Sequence, residues 1–494
     1  MEGIKTAGIE LCAIDAPEAF CLYSKKQQFL NMVLENSFEY NLSIKYNTDI
    51  YPKDKWGTSL NVIRIIWTVL PVVPVMVITH IITSTIGPAI QLNYVFTYLL
   101  EIVFIVLPIV FLVSLYNNLL GYLLPALLLG AWVYYWELIQ RPRNWYFNWG
   151  GRRPHVLTLN RATINLLTAY CILAVDFPSF PKYFVKNHQF GASLMDIGIG
   201  LFVYSMGVVS KPPQSISHFV KLFVNVFVLV VLGGIRTSIM RNTKFSQNER
   251  EYGIHWNAFY TLALTKFGAT ILSLLCKHGF MLFAGGVVFA VIHEVNLQHN
   301  TSNFVMNANV VRNTLFKANR EGICSILGFI SIYLFSMLMG HHLRIQNDVI
   351  TRKAYFKKLK VTMVSAILLW VSVFSCIFLS ISIARVTCNL GYILLVLAIA
   401  QTMTGYYMLG FHSILSQPDE SYSADQEYLP SVVEAVNKNG LVYFVVANLL
   451  TGGINLCLEE TDYVLEASII ILSAYMFLTT IPVQILHYYK KRIG

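Results

Sequence analysis

Apolar runs of about 18 to 25 residues, each long enough to cross a hydrocarbon core of about 30 Å as a helix, recur through almost the whole chain and leave it little choice of fold. Backbone polar groups in lipid must be satisfied within the spanning segment, so such runs become helices or the strands of a closed barrel. Barrel strands would alternate over about ten residues, and these runs do not. The expected fold is an all-α polytopic membrane protein with about 13 transmembrane helices. Their approximate spans are 62–84, 93–115, 118–138, 160–176, 193–209, 216–235, 256–275, 279–295, 321–341, 361–384, 388–410, 439–457 and 464–487. Composition agrees: of 494 residues, 55% are hydrophobic and only 13% charged, and the mean hydropathy is +0.56. The expected organisation is a lumenal N-terminal segment over 1–57, a multipass transmembrane domain over 58–488 and a cytoplasmic basic tail over 489–494.

The N-terminal segment lacks a basic stretch followed by an apolar core, so it does not read as a cleavable signal peptide. A net charge of +10 raises nucleic acid as a partner, but the charges form no tract with interleaved aromatics. They read instead as topology signals. "QRPRNWYFNWGGRRPH", "RIQNDVITRKAYFKKLK" and the terminal "KKRIG" are strongly basic, which places all three in the cytoplasm and the N-terminus in the lumen. The glycosylation tripeptides at Asn41 and Asn300 then both fall on the lumenal side. Among eight scattered cysteines, only Cys12 and Cys21 are placed for a lumenal disulfide.

The stretch "LAVDFPSFPKYFVKNHQFGASLMDIG", residues 173–198, interrupts this pattern. An apolar run ends at Asp176, passes Pro178, Pro181, Lys182 and Lys186, and turns apolar again around Asp196. In the expected topology it is a lumenal hairpin whose prolines stiffen the helix exit. A half-desolvated carboxylate tends toward a raised pKa, and a nearby ammonium pulls it back. Asp176 and Lys186, ten residues apart across the hairpin, form a pair able to take a proton from a hydroxyl and stabilise the developing charge. The competing reading makes Asp176 a helix end and the lysines interface anchors. Asp196 lies inside the next apolar run, where an ionisable group must face protein or a watery cavity. The intramembrane aspartyl protease pattern is absent, because the aspartates sit in "VDF" and "MDIGIG".

Two further polar clusters fall on the same side. "EREYGIHWNAFYTL" carries His255 and Asn257, and "VVRNTLFKANREGICSILGFISIYL" carries Arg312, Asn319 and Glu321. Three polar helix entrances on one face suggest one shared site, against the alternative that each supplies N-caps and interface anchors. "HEVNLQH" spaces His293 and His299 six residues apart, unlike the i, i+4 pair of a zincin, so no metal site is expected. His341 and His342 mark a helix boundary, and His412 reads as a loop residue. Nucleophile elbows and phosphate-cradling loops are missing.

At "ILAVDFPSFPKYFVK", "GASLMDIGIGLFVYSMG", "REYGIHWNAFYTL" and "NTLFKANREGICSILGFISIYL" the sequence resembles the inositol acyltransferases of glycosylphosphatidylinositol (GPI) anchor biosynthesis. The resemblance is strongest over roughly residues 160–340; the terminal parts match mainly in hydrophobic layout. It implies a multipass protein of the endoplasmic reticulum membrane that transfers palmitoyl from palmitoyl-CoA to the inositol 2-hydroxyl of glucosaminyl-phosphatidylinositol. Acyl-CoA, this glycolipid and membrane lipids are the implied partners, with no bound cofactor, no metal and no nucleic acid. By the motif, Asp176 and Lys186 are the catalytic pair. Asp196, Lys182, His255, Asn257, Arg312 and Asn319 would shape the headgroup pocket, with Arg312 on the phosphate. The chain departs from the family's basic "FPRRFAK" and the acid after it: Tyr183 replaces a positive charge and Asn187 an acid. Two readings compete with this one, a lipid or solute transporter and an acyltransferase built on a buried histidine.

Overall fold

The computed structural model describes residues 55–493 apart from 77–78, 80–92, 115–144, 243–247, 277, 418–428 and 459–463. The chain divides between Tyr51 and Pro52, and every described residue lies after that division. The expected lumenal segment, with Asn41, Cys12 and Cys21, therefore lies outside the described residues except for its last three, which open the first described helix.

In chain order the elements are α1 (Lys55–Val69), α2 (Tyr94–Ser114), β1 (Tyr146–Asn148), α3 (His155–Ala174), α4 (Ile197–Gly207), α5 (Ile216–Asn242), α6 (Ala258–Leu275) and α7 (Gly279–Met306). There follow α8 (Arg320–Leu343), β2 (Val349–Thr351), α9 (Arg352–Phe378), α10 (Leu390–Leu415), β3 (Ser416–Gln417), α11 (Ser431–Lys438), α12 (Gly440–Cys457) and α13 (Leu465–Tyr488). The protein is an all-α polytopic membrane protein, and ten of these helices are long and apolar enough to cross a membrane among the described residues. The expected count of thirteen is corrected accordingly. Span 118–138 lies outside the described residues, and 62–84 is only partly within them. Span 193–209 contains a helix of just eleven residues, about 16 Å long and half the hydrocarbon thickness. Its first residues are not helical because Ser193 and Asp196 belong to a hydrogen-bonded turn.

The largely buried α3 and α10 form the centre, while α5, α7, α9 and α12 present most of their apolar surface outward. Several polar side chains inside the bundle pair with one another, which lowers the cost of burying them at lipid depth. Asn160 on α3 donates to Thr404 on α10 at 2.6 Å, and Thr404 and Tyr204 of α4 lie 3.2 Å apart. Two ends can be distinguished. At one, β1 pairs antiparallel with both β2 and β3, in register Phe147 with Ile350 and with Ser416, so the two internal basic segments meet in one small sheet. The backbone N–H of Ile493 donates to Asn439 at 2.8 Å between α11 and α12, and Arg161, near the start of α3, donates to Asn437 beside it. At the other end the hairpin 175–196, the turn 248–257 and the loop 379–389 converge.

Short as it is, α4 joins these ends. Asp196 before it belongs to the hairpin end, while the carbonyl of Val208 after it accepts from Arg344, just past the far end of α8. Gly340 makes this approach possible, since a Cβ there would lie 1.9 Å from the Val208 carbonyl oxygen. Gly340→Ala should destabilise the protein by about 1–3 kcal/mol through overpacking. Gly452→Ala, with nothing within 4 Å of the new methyl, should leave the thermal midpoint of the detergent-solubilised protein unchanged or raised. Equal midpoints for Gly340→Ala and wild type would contradict the packing described.

Candidate active site

The hairpin begins where α3 runs out. Val175 is the last residue near helical geometry, Pro178 and Pro181 prevent continuation, and a single turn over Lys182–Phe184 buries Phe184. Phe184 and Phe180 pack in the core, which fixes the Pro-rich segment and leaves Asp176 and Lys182 exposed. Asp176 Oδ2 accepts from Asn455 Nδ2 of α12 at 2.8 Å. Although the side chain is open to solvent on one side, the protein packed around it partly desolvates the carboxyl and raises it above the ordinary 3.8, opposed by the Asn455 hydrogen bond and by the charge of Lys186.

Lys186 is thus within electrostatic range of Asp176, but its ammonium is bound elsewhere, 3.1 and 3.2 Å from the two oxygens of Glu251. Burial alone would raise the Glu251 carboxyl. Lys186, Arg385 and Arg236 outweigh that effect and hold it below 4.5. The expected contact between Asp176 and Lys186 is therefore a field effect, each group having its own tether.

Asp196 is almost wholly buried and saturated with donors. Arg385 Nε reaches Oδ1 at 3.0 Å. Ser193 Oγ and Asn187 Nδ2 reach Oδ2 at 2.8 and 2.7 Å, and the Asn187 backbone N–H lies 3.1 Å from Oδ1. Asn187 thus serves as a double donor to Asp196, through backbone and side chain. Arg385 lies in the loop between α9 and α10, 5.7 Å from the Tyr252 ring centroid.

The three polar clusters do meet. His255 accepts from Arg241 at Nδ1, 2.8 Å, and its backbone N–H donates to Asn319 Oδ1, 2.8 Å. Gly253, with φ +119°, brings the turn so close to Ala318 and Asn319 that a Cβ would lie 2.5 Å from the Asn319 Cα. Asn257 caps α6 through the N–H groups of Phe259 and Tyr260. Arg312 is held in a fork by Glu321, at 3.0 and 2.5 Å, and touches Glu249 at 3.3 Å. Asp196, Asn257, Asn319 and Arg312 thus build the walls of the site. Glu251, Asn455, Arg385 and Tyr252 are participants that spacing did not single out. His293 Nε2 lies 2.7 Å from the Thr387 carbonyl, below the same loop. His412 belongs to α10, but its side chain lies outside the described residues.

A bundle carrying a tethered carboxylate and ammonium at one end can be compared with known proteins. The GWT1 family model matches residues 47–486. The chain belongs to the GWT1 family. Among similar proteins is GPI-anchored wall transfer protein 1 of Saccharomyces cerevisiae, 31% identical over 380 residues, covering 69% of this chain and 74% of that protein. The protein of the same name from Cryptococcus neoformans var. grubii is 31% identical over 350 residues, with 63% of this chain aligned to 58% of that protein. The Schizosaccharomyces pombe counterpart is 29% identical over 331 residues, covering 66% and 71%.

A GWT1-family hairpin held in this way makes a pH-dependent contribution to stability. Because the folded Glu251 pKa lies below 4.5, the stabilisation is complete above that value and is lost as pH falls through the depressed folded pKa. At pH 7 wild type should exceed Glu251→Gln by about 1 kcal/mol, and the gap in thermal midpoint should close in acid. Equal midpoints at pH 7 would show that Lys186 is held without Glu251.

Proposed function

We propose that this chain is an acyl-CoA-dependent inositol O-acyltransferase of GPI-anchor biosynthesis. The acyl donor is palmitoyl-CoA and the acceptor is the inositol 2-hydroxyl of glucosaminyl-phosphatidylinositol. The observation that carries this reading is the Asp176 carboxylate at the end of α3, partly desolvated, oriented by Asn455 and lying in the field of Lys186. Membership of the GWT1 family and similarity to GPI-anchored wall transfer proteins support the pathway.

Asp176 takes the proton of the inositol hydroxyl as its oxygen attacks the thioester carbonyl. General base catalysis of this kind contributes about 10² to 10⁴ in rate. A carbon–oxygen bond forms, negative charge develops on the carbonyl oxygen, and the ammonium of Lys186 stabilises it. As the intermediate collapses, the carbon–sulfur bond breaks. Coenzyme A departs as thiolate and recovers the proton held by Asp176. The Glu251 tether keeps Lys186 in place without consuming all three of its protons as donors. In this reading the basic sheet end is cytoplasmic, the hairpin end is lumenal and the protein resides in the endoplasmic reticulum membrane. A transporter would be expected to place its charges at mid-membrane. Here the hairpin charges gather at one end.

Transfer of labelled palmitoyl from palmitoyl-CoA to glucosaminyl-phosphatidylinositol by the purified protein tests the reading. Asp176→Asn should lower kcat by about 10² to 10⁴, and Lys186→Ala by about 10² to 10³, with thermal midpoints showing that both fold. Wild type that transfers nothing, or variants that transfer normally, would overturn it.

A further inference from the structure

A cavity of about 310 Å³ adjoins the hairpin, lined among others by His188, Glu249, Arg250, Arg312, Arg320 and Glu321. Its size falls at the lower end of the range for small-molecule sites, enough for a sugar headgroup and too small for acyl chains as well. His188, two residues beyond Lys186, joins the hairpin to the 248–252 turn through a 3.1 Å hydrogen bond donated by Asn248. The cavity is therefore continuous with the turn that holds the catalytic ammonium.

Two of the lining arginines are already spent. Arg320 donates to the carbonyls of Val305, Asn307 and Val310 at 3.2, 2.7 and 3.1 Å. Arg312 is forked onto Glu321 and also donates to the Ala318 carbonyl at 2.9 Å. Two charges remain available. The guanidinium of Arg250 makes no hydrogen bond or ion pair among the described residues, and the exposed Glu249 carboxylate meets Arg312 through one oxygen only, at 3.3 Å. A cation without an ion pair among the described residues, beside an exposed carboxylate that engages Arg312 through one oxygen, in a polar cavity of this size, matches a ligand carrying both charges.

We propose that this cavity binds the acceptor headgroup, with Arg250 on its phosphodiester and Glu249 on the ammonium of its amino sugar. Arg312 is then a positioning residue that holds Glu249, and the phosphate contact passes from Arg312 to Arg250. The assignment rests on the acyltransferase reading for the identity of the acceptor. Glu249, Arg250 and Glu251 would couple substrate and catalysis through one turn, the first two gripping the headgroup while the third fixes Lys186.

The test is binding of dioctanoyl glucosaminyl-phosphatidylinositol and dioctanoyl phosphatidylinositol to the full-length detergent-solubilised protein, read without acyl-CoA. A charge-assisted contact predicts about a tenfold preference for the amine-bearing lipid in wild type. Glu249→Gln should abolish that preference, and Arg250→Ala should weaken both lipids about tenfold. Unaltered binding in both variants, or a wild type that does not distinguish the lipids, would overturn the site. If Glu249→Gln melts early because Arg312 loses a partner, Arg250→Ala decides, since it removes an exposed guanidinium with no hydrogen bond or ion pair among the described residues. Binding is independent of turnover. Absent transfer with the expected binding would refute the acyltransferase reading alone, and normal transfer with unaltered variant binding would refute the cavity alone.

Discussion

The buried pair between Asp196 and Arg385 is the contact on which the polar end of the bundle depends. Taking both charges out of water costs several kcal/mol per ion, and attraction offsets that only when the remaining donors and acceptors are satisfied. Here Asp196 also accepts from Ser193 and from Asn187 through both backbone and side chain. Those donors close the hairpin's end onto the start of α4. Arg385 comes from the loop before α10, 189 residues away in sequence, and lies over Tyr252 in the third segment. One guanidinium therefore organises hairpin, loop and turn, and its charge adds to that of Lys186 in keeping Glu251 ionised.

From this anchor the geometry of the two proposed catalytic groups follows. Asp196 fixes one end of the hairpin and the buried Phe180 and Phe184 fix its middle, so Lys186 has little freedom beyond the reach of its own side chain. Glu251 removes most of that. Asp176 is fixed from the other side, by the end of α3 and by Asn455 of α12. The proposed base and cation thus sit on different supports, with Asp176 in the field of Lys186. In the proposed reaction, such preorganisation would let a weak carboxylate base and one ammonium act without reorganising.

The fold was largely legible because apolar runs of about twenty residues permit little else in a bilayer. The exception, α4, is informative: a run over 193–209 looks continuous, but Asp196 diverts its first residues into a turn that hydropathy does not register. Convergence of three polar helix entrances was also legible, since each interrupts the apolar pattern on the same side. Partners were not. Glu251 is 65 residues from Lys186 and Asn455 is 279 from Asp176, and within an apolar run a single asparagine looks like any buried polar group. Arg385 fell in the short gap between the expected spans 361–384 and 388–410, whereas α9 ends at Phe378 and the longer loop 379–389 carries it inward. Arg312 looked available for a phosphate because nothing in its spacing reveals that Glu321, nine residues on, occupies its fork.

The acid limb of kcat/KM for palmitoyl transfer, which reports the ionisation of the free enzyme's base, tests most directly whether Asp176 is that base. In wild type its midpoint should lie above 3.8, the ordinary value for aspartate, because burial raises the Asp176 carboxyl. Asn455→Leu should move the midpoint higher by removing a hydrogen bond that favours the charged form. A midpoint unmoved by that substitution, or a rate with no acid limb, would contradict the account and point to a different proton acceptor.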